Sequence, residues 1–272
     1  MSKPVLIKDI CFAHGESSCH ERKPSNFYWT RNEFDTDVCF YTDYVIGQVV
    51  NNGYKYKKNI GWLIEPPSVN PNGYNQVVNL KDKFDLVFTY SQELIKSDPD
   101  KFKWYPHSGC WVKDEDIKVY DKTKLLSIIA SNKNQTVGHK LRHEVIKEFG
   151  DRMDIFGRGI NNLPYKADGL SPYMFSIIIE NIKYDDYFTE KIIDCFATGT
   201  IPIYWGTPKV NDFFDSKGII HFNSVEELNG ILTRLNESEY VNRISSVRNN
   251  LDKCTQFKLA EDWIYNNYND IF

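Results

Sequence analysis

Glu180, Asn181, Tyr187, Thr189, Glu190 and Lys191 fall within one short segment of the chain. An apolar run, Phe175–Glu180 (FSIIIE), precedes it, and its continuous apolar character suits a parallel strand covered on both faces. A helical pattern follows over Thr189–Thr198, with Thr189 as its N-cap and Gly199 as its stop. The segment therefore leaves a strand's carboxyl end and enters a helix, which is where open α/β sheets bind ligands. Lys191 lies in the first turn of that helix, beside backbone N–H groups that have no partner within it. Such an end attracts phosphate. An isolated first-turn Glu-Lys pair is also what a solvated helix start looks like. Asn181 and Tyr187, on the same loop, tip the balance toward a ligand.

Two arginines could add charge. Arg142 opens the helix pattern after the run Leu125–Ala130, with His139 three residues earlier on the same face. Its fork can clamp a diphosphate at two points, although helix position alone also fits a surface residue. Arg158, in Phe156-Gly-Arg-Gly159, sits at another strand end, where the glycines could equally make a plain turn. Glu65 ends the apolar run of Gly61-Trp-Leu-Ile-Glu-Pro-Pro67, and the prolines stop the strand at once. A carboxylate there could take a proton from an incoming hydroxyl, or be a surface residue at a strand end. Glu93 and Asp43 are further carboxylates in this part, with no motif around either.

Metal signals are weak. Asp35-Thr36-Asp37 is a DxD pattern, but Asp98-Pro-Asp100 and Asp114-Glu-Asp116 are equally short acidic patterns. Asp185-Asp186, in the candidate loop, is the most plausible metal position if one exists. None of the six cysteines forms a CxxC pair, which leaves a zinc site unsupported.

The elements that position these residues read as α/β. Strand patterns occur at Val5–Ile10, Val38–Phe40, Ile60–Ile64 and Leu86–Tyr90, with a short helix or turn at Ser91–Ile95. They restart at Leu125–Ala130, followed by a helix at Lys140–Phe149 and strands at Met153–Phe156 and Ile201–Trp205. Charge dominates residues 112–123, the expected connector between a first domain (1–112) and a second (124–272). Helices from Ser224 onward end in one that could return to the first domain. Apolar residues make up 41% of the chain and charged residues 26%, an ordinary globular balance that excludes disordered and fibrous classes. The net charge of −4 and the lack of a basic run argue against a nucleic-acid partner. No stretch approaches the length of a membrane span and the N-terminus lacks a signal-peptide core, so a cytoplasmic setting with reduced thiols is expected.

The segment Glu180–Lys191, continued by Ile192-Ile-Asp194 and then Ile201-Pro-Ile-Tyr-Trp-Gly206-Thr-Pro208, resembles the signature of the α1,3/4-fucosyltransferase family, glycosyltransferase family ten. Ala130-Ser131-Asn132 with Arg142 resembles that family's strand and arginine helix. Ile64-Glu65-Pro66-Pro67 resembles its Glu-Ser-Pro stretch, with Pro in place of Ser. The resemblance implies a GT-B fold, two Rossmann-like domains facing across a cleft. It implies an inverting transfer of fucose from GDP-fucose to a carbohydrate hydroxyl without a metal or other cofactor. Glu65 would be the base, and Arg142 and Lys191 the diphosphate cations. Asn181, Tyr187, Thr189, Glu190 and Arg158 would bind the donor. The same fold with another nucleotide sugar, and a non-catalytic carbohydrate-binding protein, are the alternatives.

Overall fold

The computed structural model describes residues 3–10, 12, 15–19, 22–33, 36–184 and 186–272. Asp35 and Asp185 lie outside them. The chain divides into two compact units: Met1–His107 with Leu259–Phe272, and Ser108–Lys258.

The first unit is built on a six-stranded parallel sheet in the order β2-β1-β3-β4-β5-β6. The strands are β1 (Lys3–Lys8), β2 (Phe27–Thr30), β3 (Val38–Thr42), β4 (Lys58–Trp62), β5 (Leu86–Thr89) and β6 (Phe102–Trp104). Short helices α1 (Val49–Asn52), α2 (Pro71–Asn79) and α3 (Gln92–Ser97) lie between them. β3 is buried at every residue, so its pattern is a continuous apolar run rather than an alternation. Aromatic rings gather in the core: Phe27, Trp29, Phe40 and Trp62 meet edge to face, Phe88 stacks on Phe40, and Phe272 stacks on Phe27 and Phe40. The C-terminal helix α9 (Ala260–Asn267) is tied into this unit. Its buried Glu261 accepts from Ser18 N–H and hydroxyl and from the Trp29 indole. β2 and β6 escape the sequence patterns because three or four residues carry too little periodicity.

The second unit holds a five-stranded parallel sheet in the order β11-β10-β9-β7-β8. In chain order it runs β7 (Lys124–Ile129), α4 (Val137–Phe149), β8 (Asp154–Phe156), β9 (Tyr173–Ile179), α5 (Glu190–Ala197), β10 (Ile201–Trp205) and β11 (Ile220–His221). α6 (Val225–Leu232), α7 (Glu237–Val241) and α8 (Ile244–Cys254) follow. All residues of β9 and β10 are buried, as central parallel strands must be. Leu126, Ile128, Phe175, Ile177, Ile201 and Ile203 form the centre of its core. Strand order reverses at β7 and β9: the chain leaves β7 toward β8 and leaves β9 toward β10. The connections after those two strands therefore leave in opposite directions, and this switch point is where open α/β sheets bind ligands. Residues 112–123 belong to this unit and hold a short 3-10 turn at Asp114–Asp116.

No helix among the described residues is long and apolar enough to cross a membrane. Cys19, Cys39, Cys110, Cys195 and Cys254 are buried.

Candidate active site

Thr189 starts α5 as the sequence pattern requires. Its backbone is extended and its hydroxyl accepts the N–H of Lys191 at 3.3 Å. The hydroxyl also donates to Glu180 Oε2 at 2.8 Å, while Thr189 N–H donates to Glu180 Oε1 at 2.9 Å. Glu180, the first residue beyond β9, is fully buried. Tyr204 on β10 donates a further bond to Oε1 at 3.4 Å. One carboxylate thus closes the loop on itself, tying the strand's end to the helix start. Its charge needs compensation in that interior, and Lys191 Nζ supplies it at 3.4 Å from Oε2.

Lys191 is three-quarters buried. Its ammonium also lies 3.0 Å from Thr189 Oγ1 and 3.2 Å from Glu190 Oε1. The ammonium therefore sits at the N-terminus of α5, the end of a helix that attracts anions. Tyr187 is buried two residues before the cap.

Arg142 does not open its helix. α4 begins at Val137, capped by Thr136, and Arg142 lies in its second turn, 5% exposed. The pattern placed the helix start three residues late because Val137 is exposed and Gly138 is a weak helix former. The longer helix aims Arg142 at the end of β9: Nε donates to the Ile179 carbonyl at 2.9 Å, and Nη2 donates to the same carbonyl and to Asn181 Oδ1, the latter at 3.0 Å. Burial works against the guanidinium charge, and the Glu180 and Glu190 carboxylates support it. Arg142, Glu180, Asn181, Glu190 and Lys191 are thus one cluster at the carboxyl end of β9.

Gly138 makes that cluster possible and was not singled out in the sequence. Its N–H donates to the Asn181 carbonyl at 3.0 Å, and a Cβ there would lie 1.8 Å from the Glu180 carbonyl oxygen. Only glycine lets the first turn of α4 rest on the loop after β9. His139 completes the start of α4. Its Nδ1 accepts the N–H groups of Gln135 and Thr136, and its N–H is held by the Thr136 hydroxyl, a capping box with His in the usual Glu or Gln position. Burial and the nearby Arg142 push its pKa down to about 4.

Arg158 is not gathered into the cluster. It is exposed on the turn beyond β8, the edge strand, and makes no side-chain hydrogen bond or ion pair among the described residues. Gly157 and Gly159, both at positive φ, shape that turn. Of the acidic metal patterns, Asp35 and Asp185 lie outside the described residues, and Asp186 is buried 3.7 Å from Lys209 Nζ.

In the first unit, Glu65 is half-buried in the loop beyond β4, at the carboxyl end of its sheet. Asp43, at the corresponding end of β3, accepts the N–H groups of Ile64 and Glu65 at 2.9 and 3.1 Å. Asp43 is fully buried and holds φ at 35°, where L side chains are strained. Its position next to an extended strand carried no pattern that marked it.

This arrangement has counterparts among known proteins. Residues 119–248 match the family model for glycosyltransferase family 10 (fucosyltransferase), C-terminal part. An α-(1,3)-fucosyltransferase of Helicobacter pylori is 32% identical over 122 residues, which span 43% of this chain and 24% of that protein. A crystal structure of an α1,3-fucosyltransferase with GDP-fucose shares the fold at TM-score 0.61 and 18% identity, covering 99% of this chain and 90% of the other. An α-glucosyltransferase in complex with UDP and DNA shares it at TM-score 0.51 and 11% identity, covering 87% and 80%. The fold is shared with these glycosyltransferases, and the match to glycosyltransferase family 10 lies within the second unit.

Proposed function

We propose that this protein transfers fucose from GDP-fucose to a carbohydrate hydroxyl with inversion. The observation that carries the reading is the Glu180–Thr189–Lys191 closure at the end of β9, braced by Arg142 within the matched domain. It presents an ammonium at a helix start and a topological switch point, a setting that suits a diphosphate. The relatives' fucosyltransferase names and the neighbour with GDP-fucose support the choice of donor.

In this reaction the acceptor oxygen bonds to the sugar's anomeric carbon while that carbon's bond to the β-phosphate oxygen breaks. The proton of the acceptor hydroxyl goes to Glu65, and the negative charge goes to the departing GDP. Lys191, Arg142 and the N-terminus of α5 stabilise that charge, and fixed charges of this kind are the largest part of most catalytic effects. Asn181 and Tyr187 shape the donor loop, and Glu190 bonds to sugar or ribose hydroxyls. With cations supplied by the protein, the reaction runs without a metal.

The test is transfer from labelled GDP-fucose to a panel of glycans, with the anomeric configuration of the product read by NMR. A product of opposite configuration to the donor supports the proposal. Stabilisation by UDP-sugars but not GDP-fucose in a thermal-shift panel favours another donor on the same fold. No hydrolysis or transfer with any donor favours a carbohydrate-binding protein.

A further inference from the structure

Glu190 stands between two lysines. Lys191 Nζ is 3.2 Å from its Oε1, and Lys166 Nζ is 3.7 Å from the same oxygen. Lys166 begins a 3-10 turn, Lys166–Gly169, just before β9, and its side chain is largely buried. Its ammonium is anchored 2.5 Å from Asp194 Oδ2, one helical turn beyond Glu190 on α5. Asp194 is fully buried, and its other oxygen accepts Trp111 N–H at 2.7 Å. Charges of alternating sign thus run from Glu180 through Lys191, Glu190 and Lys166 to Asp194. A cavity of about 20 Å³ borders both lysines.

The order of this chain has a consequence for donor binding. Lys191 is shared among Glu180, Thr189 and Glu190. A diphosphate must draw it away from at least one of them. Lys166 then remains beside Glu190 as a cation. Burial alone would lower the pKa of Lys166, but the Asp194 and Glu190 carboxylates outweigh it and raise it, so Lys166 stays charged.

We propose that Lys166 is a positioning residue of the donor site: anchored by Asp194, it holds Glu190 so that Lys191 can turn to the diphosphate. The inference rests on the assignment of Lys191 and Glu190 to donor binding. Removing Lys166 takes one of the cations from Glu190, so that Glu190 holds Lys191 more tightly against the pull of the phosphate.

Calorimetric titration with GDP tests this in a double-mutant cycle. Lys166→Met weakens GDP binding about tenfold, a coupling typical of residues in one charged network. Lys166→Arg keeps the affinity near that of the parent. Glu190→Gln, added to Lys166→Met, restores binding to the level of Glu190→Gln alone, because the captor of Lys191 is gone. Since Lys166→Met leaves Asp194 as an unpaired buried carboxylate, the whole cycle is run in parallel on an Asp194→Asn background. A double variant as weak as the sum of the two changes overturns the inference while the diphosphate site stands. A parent protein that does not bind GDP overturns the site assignment, and the inference with it.

Discussion

Asp43 holds the loop of Glu65 by its backbone, accepting the Glu65 N–H at 3.1 Å and the Ile64 N–H at 2.9 Å through one carboxylate oxygen. It does so from a strained φ of 35°, fully buried at the end of β3. Asp43→Ala deprives both N–H groups of an acceptor, and it is expected to destabilise the protein by roughly 1–3 kcal/mol. Asp43→Asn keeps an acceptor oxygen and loses less. Urea unfolding of the two variants checks the order, and equal losses would show that strain, not acceptance, dominates at this position.

Glu65→Gln isolates the proton-transfer step. Turnover should fall by roughly 10²–10⁴, the usual worth of a general base. GDP affinity should stay near that of the parent, because the cations assigned to the diphosphate lie on the second unit's α4 and α5. The acidic limb of the pH–rate profile should vanish with the titrating group. A variant that keeps that limb identifies Glu65 as structural.

Arg142→Lys examines the brace. One ammonium cannot reproduce a planar fork that reaches the Ile179 carbonyl and Asn181 Oδ1 together. Loss of one charge-assisted bond should weaken GDP binding about ten- to hundredfold. Lys191→Ala should abolish transfer while the far-ultraviolet circular dichroism stays native. Near-parent turnover in Lys191→Ala would put the diphosphate elsewhere.

His139 sets an acid limit on the fold. Its Nδ1 accepts two backbone N–H groups, so the native state needs the neutral ring. Burial and Arg142 hold its pKa at about 4 in the folded protein, against 6.5 when exposed. Between those values the unfolded chain binds the extra proton, so stability falls as pH falls from 6.5 toward 4. His139→Gln keeps an acceptor for the capping box and removes the titration. The midpoint of thermal unfolding should therefore depend less on pH in this variant. A parallel decline in both proteins would assign the acid sensitivity to carboxylates.

Metal dependence is checked by assaying transfer in excess EDTA. Activity should persist, because Arg142 and Lys191 carry the positive charge. Loss in EDTA with rescue by Mn²⁺ would bring an acidic group to the diphosphate and reduce the part played by the two cations.

What the chain determines locally is the kind and order of its elements. The FSIIIE run is a buried strand because nothing in it tolerates water. Thr189 caps α5 because its hydroxyl reaches an N–H two residues on. Lys191 falls in the first turn as a matter of counting. Those features use contacts within a few residues, so sequence displays them. The rest depends on partners far apart in the chain. Arg142 meets Ile179 across 37 residues and Asn181 across 39. Lys166 reaches Asp194, and Asp43 reaches Glu65, only because strands lie side by side. No local pattern records which strands are neighbours, and strand order alone puts the switch point between β7 and β9. Gly138 gives no local signal of its role, because the backbone it touches belongs to the loop after β9. Arg158 looked like a strand-end cation, but β8 is the sheet's edge, and its turn leaves the side chain in water. Sequence determined which groups could do chemistry; the packing within each unit decided which of them lie together, because burial and charge pairing act through space, not along the chain.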